Sequence, residues 1–328
     1  MPLGAIVIAL GLRVIPAGTR HEGPRNFDAT GAVLVTAGLV ALTYGIVRTD
    51  TLGWGAPGVL VPLAAAVLLL AAFALVEARF AAAPLVPLSI FRHRRLRAAN
   101  AVVVLLYAAQ FPSWFFLTLY TQQVLHYDAI EAGLGFLPIT LTIFATSTRA
   151  PRLVVRFGPH RLMAAGMLFT ALGMLLLSGV APGGSYLGSV LPGGVVSGFG
   201  MGLTLVPSTI VATQGVRREQ SGLASGLLNT SRLVGGALGL AVLSTVASSA
   251  AGVSLTAASA SVITDGFGTA FMIAALFGLA GSVIASVALR RQADASTQTP
   301  QTLVLPARDD DQLATTAPRS SAAVERAA

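Results

Sequence analysis

The sequence predicts an all-α membrane protein, on three observations. Stretches of about 20 mostly apolar residues recur along the chain, matching a hydrocarbon core about 30 Å thick at a helical rise of about 1.5 Å per residue. Hydrophobic residues make up 54% of the chain and charged residues only 10%, and a mean hydropathy of +0.77 suits lipid rather than water. The arginines, finally, fall almost entirely into alternate loops between the apolar stretches. The formal charge of +8 therefore reads as topology and not as nucleic-acid binding, because the arginines stand at span ends instead of along one polar face. The chain has no cysteine, which excludes disulfides and thiolate metal sites; no cofactor and no metal are expected.

The first element is a stub. Leu3 to Leu12 is apolar but about ten residues long, too short to span, and Arg13 follows it. A signal peptide is one reading, but no positive start precedes the apolar run and no convincing small-residue cleavage site follows. The preferred reading is the end of a truncated transmembrane helix over residues 1–15, followed by a loop over 16–29. Spans then fall at 30–49 and 57–78, within a two-helix unit over 30–80, and a loop covers 81–98. Six more occupy 99–290, at 99–122, 131–149, 161–180, 187–212, 221–248 and 267–289. The segment 131–149 is the weakest, since it holds several threonines and Pro138. Residues 291–328, rich in Ala, Thr, Ser and Gln and carrying Asp309, Asp310 and Asp311, predict a disordered tail.

Sorting the arginines by loop gives an orientation. One side holds Arg13, Arg20 and Arg25; Arg79, Arg92, Arg94, Arg95 and Arg97; Arg149, Arg152, Arg156 and Arg161; Arg217 and Arg218; and Arg290 and Arg291. The opposite loops hold only Arg48. Cytoplasmic loops retain positive charge near span ends, so the first side is predicted to be cytoplasmic, and the carboxyl-terminal tail with it.

Three segments carry a resemblance. One runs Ala-Pro-Leu-Val-Pro-Leu-Ser-Ile-Phe-Arg from Ala83 to Arg92 and leads into a span closing Leu-Tyr-Thr-Gln-Gln-Val-Leu-His-Tyr from Leu119 to Tyr127. The others are Ala-Ser-Gly-Leu-Leu-Asn-Thr-Ser-Arg from Ala224 to Arg232, with Gly235 and Gly236 after it, and Arg152 to Arg161. Together they resemble the EmrB/QacA-type drug and proton antiporters, the 14-helix branch of the major facilitator superfamily, over about residues 1–290. The resemblance implies that 99–290 is that family's C-terminal six-helix half, that 30–80 holds its two extra linker helices, and that a missing N-terminal half is the natural partner. It also implies export of hydrophobic or cationic compounds across a bacterial plasma membrane, driven by protons. In such folds the substrate lies between the halves near the bilayer midplane.

Two helical faces could bear on that cavity. Tyr107, Gln110, Trp114, Thr118 and Thr121 recur at steps of three or four and share one face. In lipid such polar groups need a partner, so the face meets protein or a water-filled cavity; ordinary packing, with Trp114 as filler or interface anchor, is the plainer reading. Pro112 predicts a local bend. In 221–248, Gly222, Ser225, Asn229, Arg232, Gly236 and Gly239 trace a second stripe, and Arg232 lies roughly 17 Å along the helix at about 1.5 Å per residue, near the midplane. A charge at that depth costs at least ~2.5 kcal/mol on insertion scales and must pair or face water. It can bind backbone carbonyls or a neighbour's carboxylate, act on substrate or protons, or snorkel to the inner surface.

The segment Pro151 to Arg161 resembles the superfamily's short cytoplasmic signature, which makes Arg152, Arg156, Gly158 and Arg161 candidates for a conformational latch. Pro151 replaces the usual Gly and Val155 the usual acid, so a plain set of positive-inside anchors before a helix opened by Pro159 competes with that role. Gly194, Gly198 and Gly202, Gly222 with Gly226, and Gly235 with Gly239 repeat every four residues and predict close helix packing. Glu77 and Glu219 stand at one set of span ends and Asp128, Glu131 and Asp265 at the other, so no carboxylate reaches a span centre and a proton relay is expected in the missing half. An enzyme is disfavoured, since His21, His93, His126 and His160 lie dispersed in loops; a channel lacks a filter-like loop or charged ring. A non-transporting truncated remnant is the remaining alternative.

Overall fold

The computed structural model describes residues 28–53, 55–80, 88–214, 216, 220–251 and 260–297, with a few isolated positions before residue 15. Most of residues 1–15, Arg20, Arg25, Arg217, Arg218, Glu219 and the residues beyond 297 lie outside the described residues. Those described are helical, with no strand among them, and eight of their helices are long and apolar enough to cross a membrane.

α1 (Ala29–Leu52) starts where Asp28 Oδ1 accepts from the Gly31 amide at 2.8 Å and stops at Gly53, whose φ of 75° breaks the helix. α2 (Pro57–Arg79) opens with Pro in its first turn, where the missing N–H costs nothing. A 3-10 turn (Leu88–Arg92) leads into α3 (Arg94–Leu119), so the helix begins inside the predicted 81–98 loop. α3 carries Pro112 in its interior and ends in a π-helical turn (Tyr120–Val124).

The segment that looked weakest forms α4 (Ala129–Gly135) and α5 (Leu137–Phe157), separated at Phe136. Asp128 caps α4 through the amides of Ile130 and Glu131, and Glu131 reciprocates to the Asp128 amide at 3.1 Å. Pro138 falls in the first turn of α5, where it is harmless. The threonine hydroxyls bond back into their own helix, Thr140 to the Phe136 carbonyl at 2.9 Å and Thr142 to that of Pro138 at 2.8 Å, which satisfies them without a neighbour. α6 (Pro159–Leu177), α7 (Leu191–Gln214, after a π-helical turn Tyr186–Val190), α8 (Ser221–Ala251) and α9 (Ala260–Thr297) complete the chain. α9 thus begins before the predicted span 267–289 and runs past its end, so that residues 291–297, expected to be disordered tail, continue the helix.

α3, α5 and α6 pack with α7, α8 and α9 in a crossed arrangement. α3 lies against α8 and α9, and α7 against α5 and α6, while α1 and α2 pair, α1 touching α8 and α2 the Leu88–Arg92 turn. Two of these pairs run parallel and share one chemistry. A Cβ on Gly235 or Gly239 of α8 would collide with the backbone of Val104 or Ala108 of α3. On α7, one on Gly194 or Gly198 would press on Ile139, and one on Gly202 would come 2.7 Å from the Thr146 Cβ of α5. Glycine every fourth residue lets these backbones approach. α6 and α7 run antiparallel just as closely, Gly166 and Gly173 facing Gly200 and Gly193.

The core thickens where α3, α6 and α9 meet. Phe116 stacks on Phe267 at 4.9 Å and meets the edge of Phe271 at 6.0 Å. Ser113 Oγ touches Met174 Sδ at 3.0 Å, and Tyr120 donates to the Ala181 carbonyl at 2.9 Å. These contacts set the starts of α3 and α6 at the same end of the bundle. The parallel run of α5 with α7, and the Ser282 hydroxyl donating to the Ala164 carbonyl at 2.9 Å, bring the last turns of α5 and α9 to that end as well. The arginine-bearing termini therefore gather on one side.

Candidate transport face on α3 and α8

The two candidate faces belong to α3 and α8, which Gly235 and Gly239 bring into backbone contact. At their shared starting end Ser231 Oγ donates to Asn100 Oδ1 at 2.7 Å, while Asn100 Nδ2 donates to the Leu96 carbonyl at 2.8 Å. One turn on, Gly235 crosses Val104; another turn on, Gly239 crosses Ala108. The pair is locked along this seam, and the side chains flanking the seam form the surface in question.

On that flank the Arg232 guanidinium carbon sits 6.0 Å from the centroid of the Tyr107 ring, at the outer limit of a cation–π contact. Arg232 Nε is buried and makes no hydrogen bond among the described residues. Phe111 covers Gly236, whose added Cβ would lie 3.2 Å from the ring, and is itself 46% exposed. Trp114 follows, 6.4 Å from Phe111 between centroids with the planes tilted by 56°. Thr118 closes the row with its hydroxyl on the Trp114 carbonyl at 2.8 Å, and Asn229 is exposed.

Gln110 departs from the predicted face. It is 1% exposed, inside the bundle, and its Oε1 has no hydrogen-bond partner there. Thr121 is likewise buried, bonded to the Leu117 carbonyl at 2.9 Å and lining a small cavity with Phe136 and Ile139. The reason is that α3 is packed by α7, α8 and α9, so even a stripe spread over about a quarter of its circumference spans two environments. Phe111, absent from the predicted set, holds the centre of the face instead; its spacing of four from Tyr107 was the available signal. The Asn100–Ser231 bond could not be read from spacing, since its partners are 131 residues apart.

The other candidates separate as clearly. Gly222 and Gly226 meet nothing within 4 Å: they lie on the side of α8 turned away from α3, so proximity in sequence is no packing contact. Gly158 has φ 80° and joins α5 to α6, a conformation that favours glycine. Arg152, Arg156 and Arg161 are exposed, and Arg156 lies over its neighbour Phe157 at 5.3 Å. Val155, where an acid would complete the latch, is 89% exposed. No carboxylate occurs in α3, α5, α7 or α8, and no group of three or more potential metal ligands occurs among the described residues.

A bundle of helices long and apolar enough to span a membrane, with an aromatic and cationic flank, is an architecture that suits a membrane transporter. The chain belongs to the Major Facilitator Superfamily, whose family model matches residues 3–240. It is 44% identical over 252 residues to a cephamycin export protein of Amycolatopsis lactamdurans, covering 76% of this chain and 52% of that protein. A puromycin resistance protein of Streptomyces alboniger is 36% identical over 249 residues, covering 75% and 49%. A multidrug resistance protein of Mycobacterium tuberculosis is 30% identical over 249 residues, covering 76% and 46%. The chain thus spans about half the length of the curated relatives it matches.

Proposed function

We propose that these residues form one wall of the substrate path in a 14-helix drug and proton antiporter, which exports hydrophobic or cationic compounds from a bacterial cytoplasm. The observation that carries this reading is the flank of Tyr107, Phe111, Trp114 and Arg232. It sets large aromatic surface and a positive charge side by side along a closely packed helix seam, and a charge in hydrocarbon needs a partner that lipid does not offer. The ring faces of Phe111 and Trp114 suit apolar and cationic groups. Names of the relatives, given for antibiotic export and drug resistance, support the same substrate class.

The wall supplies no titratable carboxylate, so proton coupling falls to a group outside α3, α5, α7 and α8. Arg152, Arg156 and Arg161 act on this reading as cytoplasmic anchors of the half-bundle, with the carboxyl terminus on the same side. The test is drug efflux from cells carrying the full-length transporter with Trp114→Ala or Arg232→Ala at matched expression. Both should export several-fold more slowly, and unchanged efflux in both removes this flank from the path.

A further inference from the structure

A second polar feature lies between α6 and α9. The two helices are in close contact through Gly278 against Ala171 and Gly281 against Met167, and are tied by the Ser282 hydroxyl on the Ala164 carbonyl. Beside that bond, toward the arginine-bearing end, lies a cavity of about 410 Å³ lined by His160, Arg161, Ala164 and Ser286. Arg161 is exposed, and Ser286 donates to the Ser282 carbonyl at 2.8 Å. Neither α5 nor α6 holds a carboxylate, while α9 carries Arg290 and Arg291 ahead of its one acid beyond Ser286, Asp294, and the amino terminus of α6 adds the positive end of its dipole.

What lies along the helices from this cavity identifies the occupant. Two turns on from Arg161 stands Leu168, and two turns further Leu175; two turns back from Ser286 stands Leu279, and then Met272. A seven-residue step keeps side chains on nearly one face, and all four are exposed. A cationic cavity at the span end thus continues into an apolar strip running toward the bilayer centre. A free anion would use only the first part.

We propose that this corner binds an anionic phospholipid, its phosphate held by Arg161 within the cavity and its acyl chains lying along the strip between α6 and α9. The Arg161 guanidinium matches the phosphate geometrically, and the span end is the depth at which headgroups sit.

The test uses the purified full chain, stripped of lipid in detergent, titrated with phosphatidylglycerol or phosphatidylcholine of identical acyl chains and read by native mass spectrometry. Phosphatidylglycerol should be retained preferentially, and Arg161→Ala should weaken that retention about fivefold, the worth of one arginine near an anionic surface. Ala164→Leu, which fills the cavity and keeps every charge, should weaken it as well and serves if the arginine variant does not fold. Arg156→Ala, outside the cavity, should leave retention unchanged. Equal binding of the two lipids, or retention unaltered by both cavity variants, overturns the site. Displacement of the lipid by an equal concentration of inorganic phosphate overturns the lipid assignment and makes it a free-anion site.

Discussion

Ser231 of α8 donates a hydrogen bond of 2.7 Å to Asn100 of α3, and this one contact sets the register in which every later glycine of α8 meets α3. From it the pairing advances four residues on both helices at once, to Val104 with Gly235 and Ala108 with Gly239. The parallel direction follows from the alternation of the spans, and the bond helps to fix the register within it; its strength, by comparison with other membrane helices, is about 0.6 kcal/mol and at most about 1.7. Ser231→Ala and Asn100→Ala should each lower the thermal unfolding midpoint of the detergent-solubilised chain. The double variant should cost less than their sum, since both remove the same bond. Strict additivity would falsify the coupling.

The glycines give a sharper contrast because two of them with the same spacing have opposite surroundings. Gly239→Ala drives a methyl group into the Ala108 backbone, with no flexible side chain to yield, so α3 and α8 must separate. Gly226→Ala meets open space and gains up to about 1 kcal/mol of helix propensity. The first variant should lose folded yield, measured by size-exclusion chromatography, while the second should match or exceed the parent. Equal yields would show that the seam is looser than described.

Helix number and placement were legible because a bilayer imposes length and apolarity on each span separately. Even Pro138 and the threonines of 131–149 misled only about strength, since their cost disappears once Pro138 opens a helix and each hydroxyl finds its own backbone. The occupant of a face was less legible. Periodicity put Tyr107, Gln110 and Trp114 together, but a helix packed by three others presents several surfaces, and only tertiary contact decides which of them closes over Gln110. The same limit applies to Gly222 and Gly226, identical in pattern to Gly235 and Gly239 and different in neighbour.

Gln110 itself supports a prediction in which stability and transport move apart. A buried acceptor without a donor costs about 1 to 3 kcal/mol, so Gln110→Leu should raise the unfolding midpoint. If the amide serves substrate passage in the full-length transporter, efflux should fall in the same variant. A lower midpoint would mean that the amide is satisfied in the working protein and that its burial stabilises the bundle.

The orientation can be checked against almost no background, since the chain contains no cysteine. Arg156→Cys places a thiol at the exposed end of α5, and Gly183→Cys places one in the exposed turn between α6 and α7, at the opposite end of α6 from the arginines. A membrane-impermeant maleimide added to intact cells should label position 183 and spare 156 until the membrane is opened, because retained arginine marks the cytoplasmic side. The reverse pattern would invert the whole bundle. It would put the cavity at Arg161 in the outer leaflet.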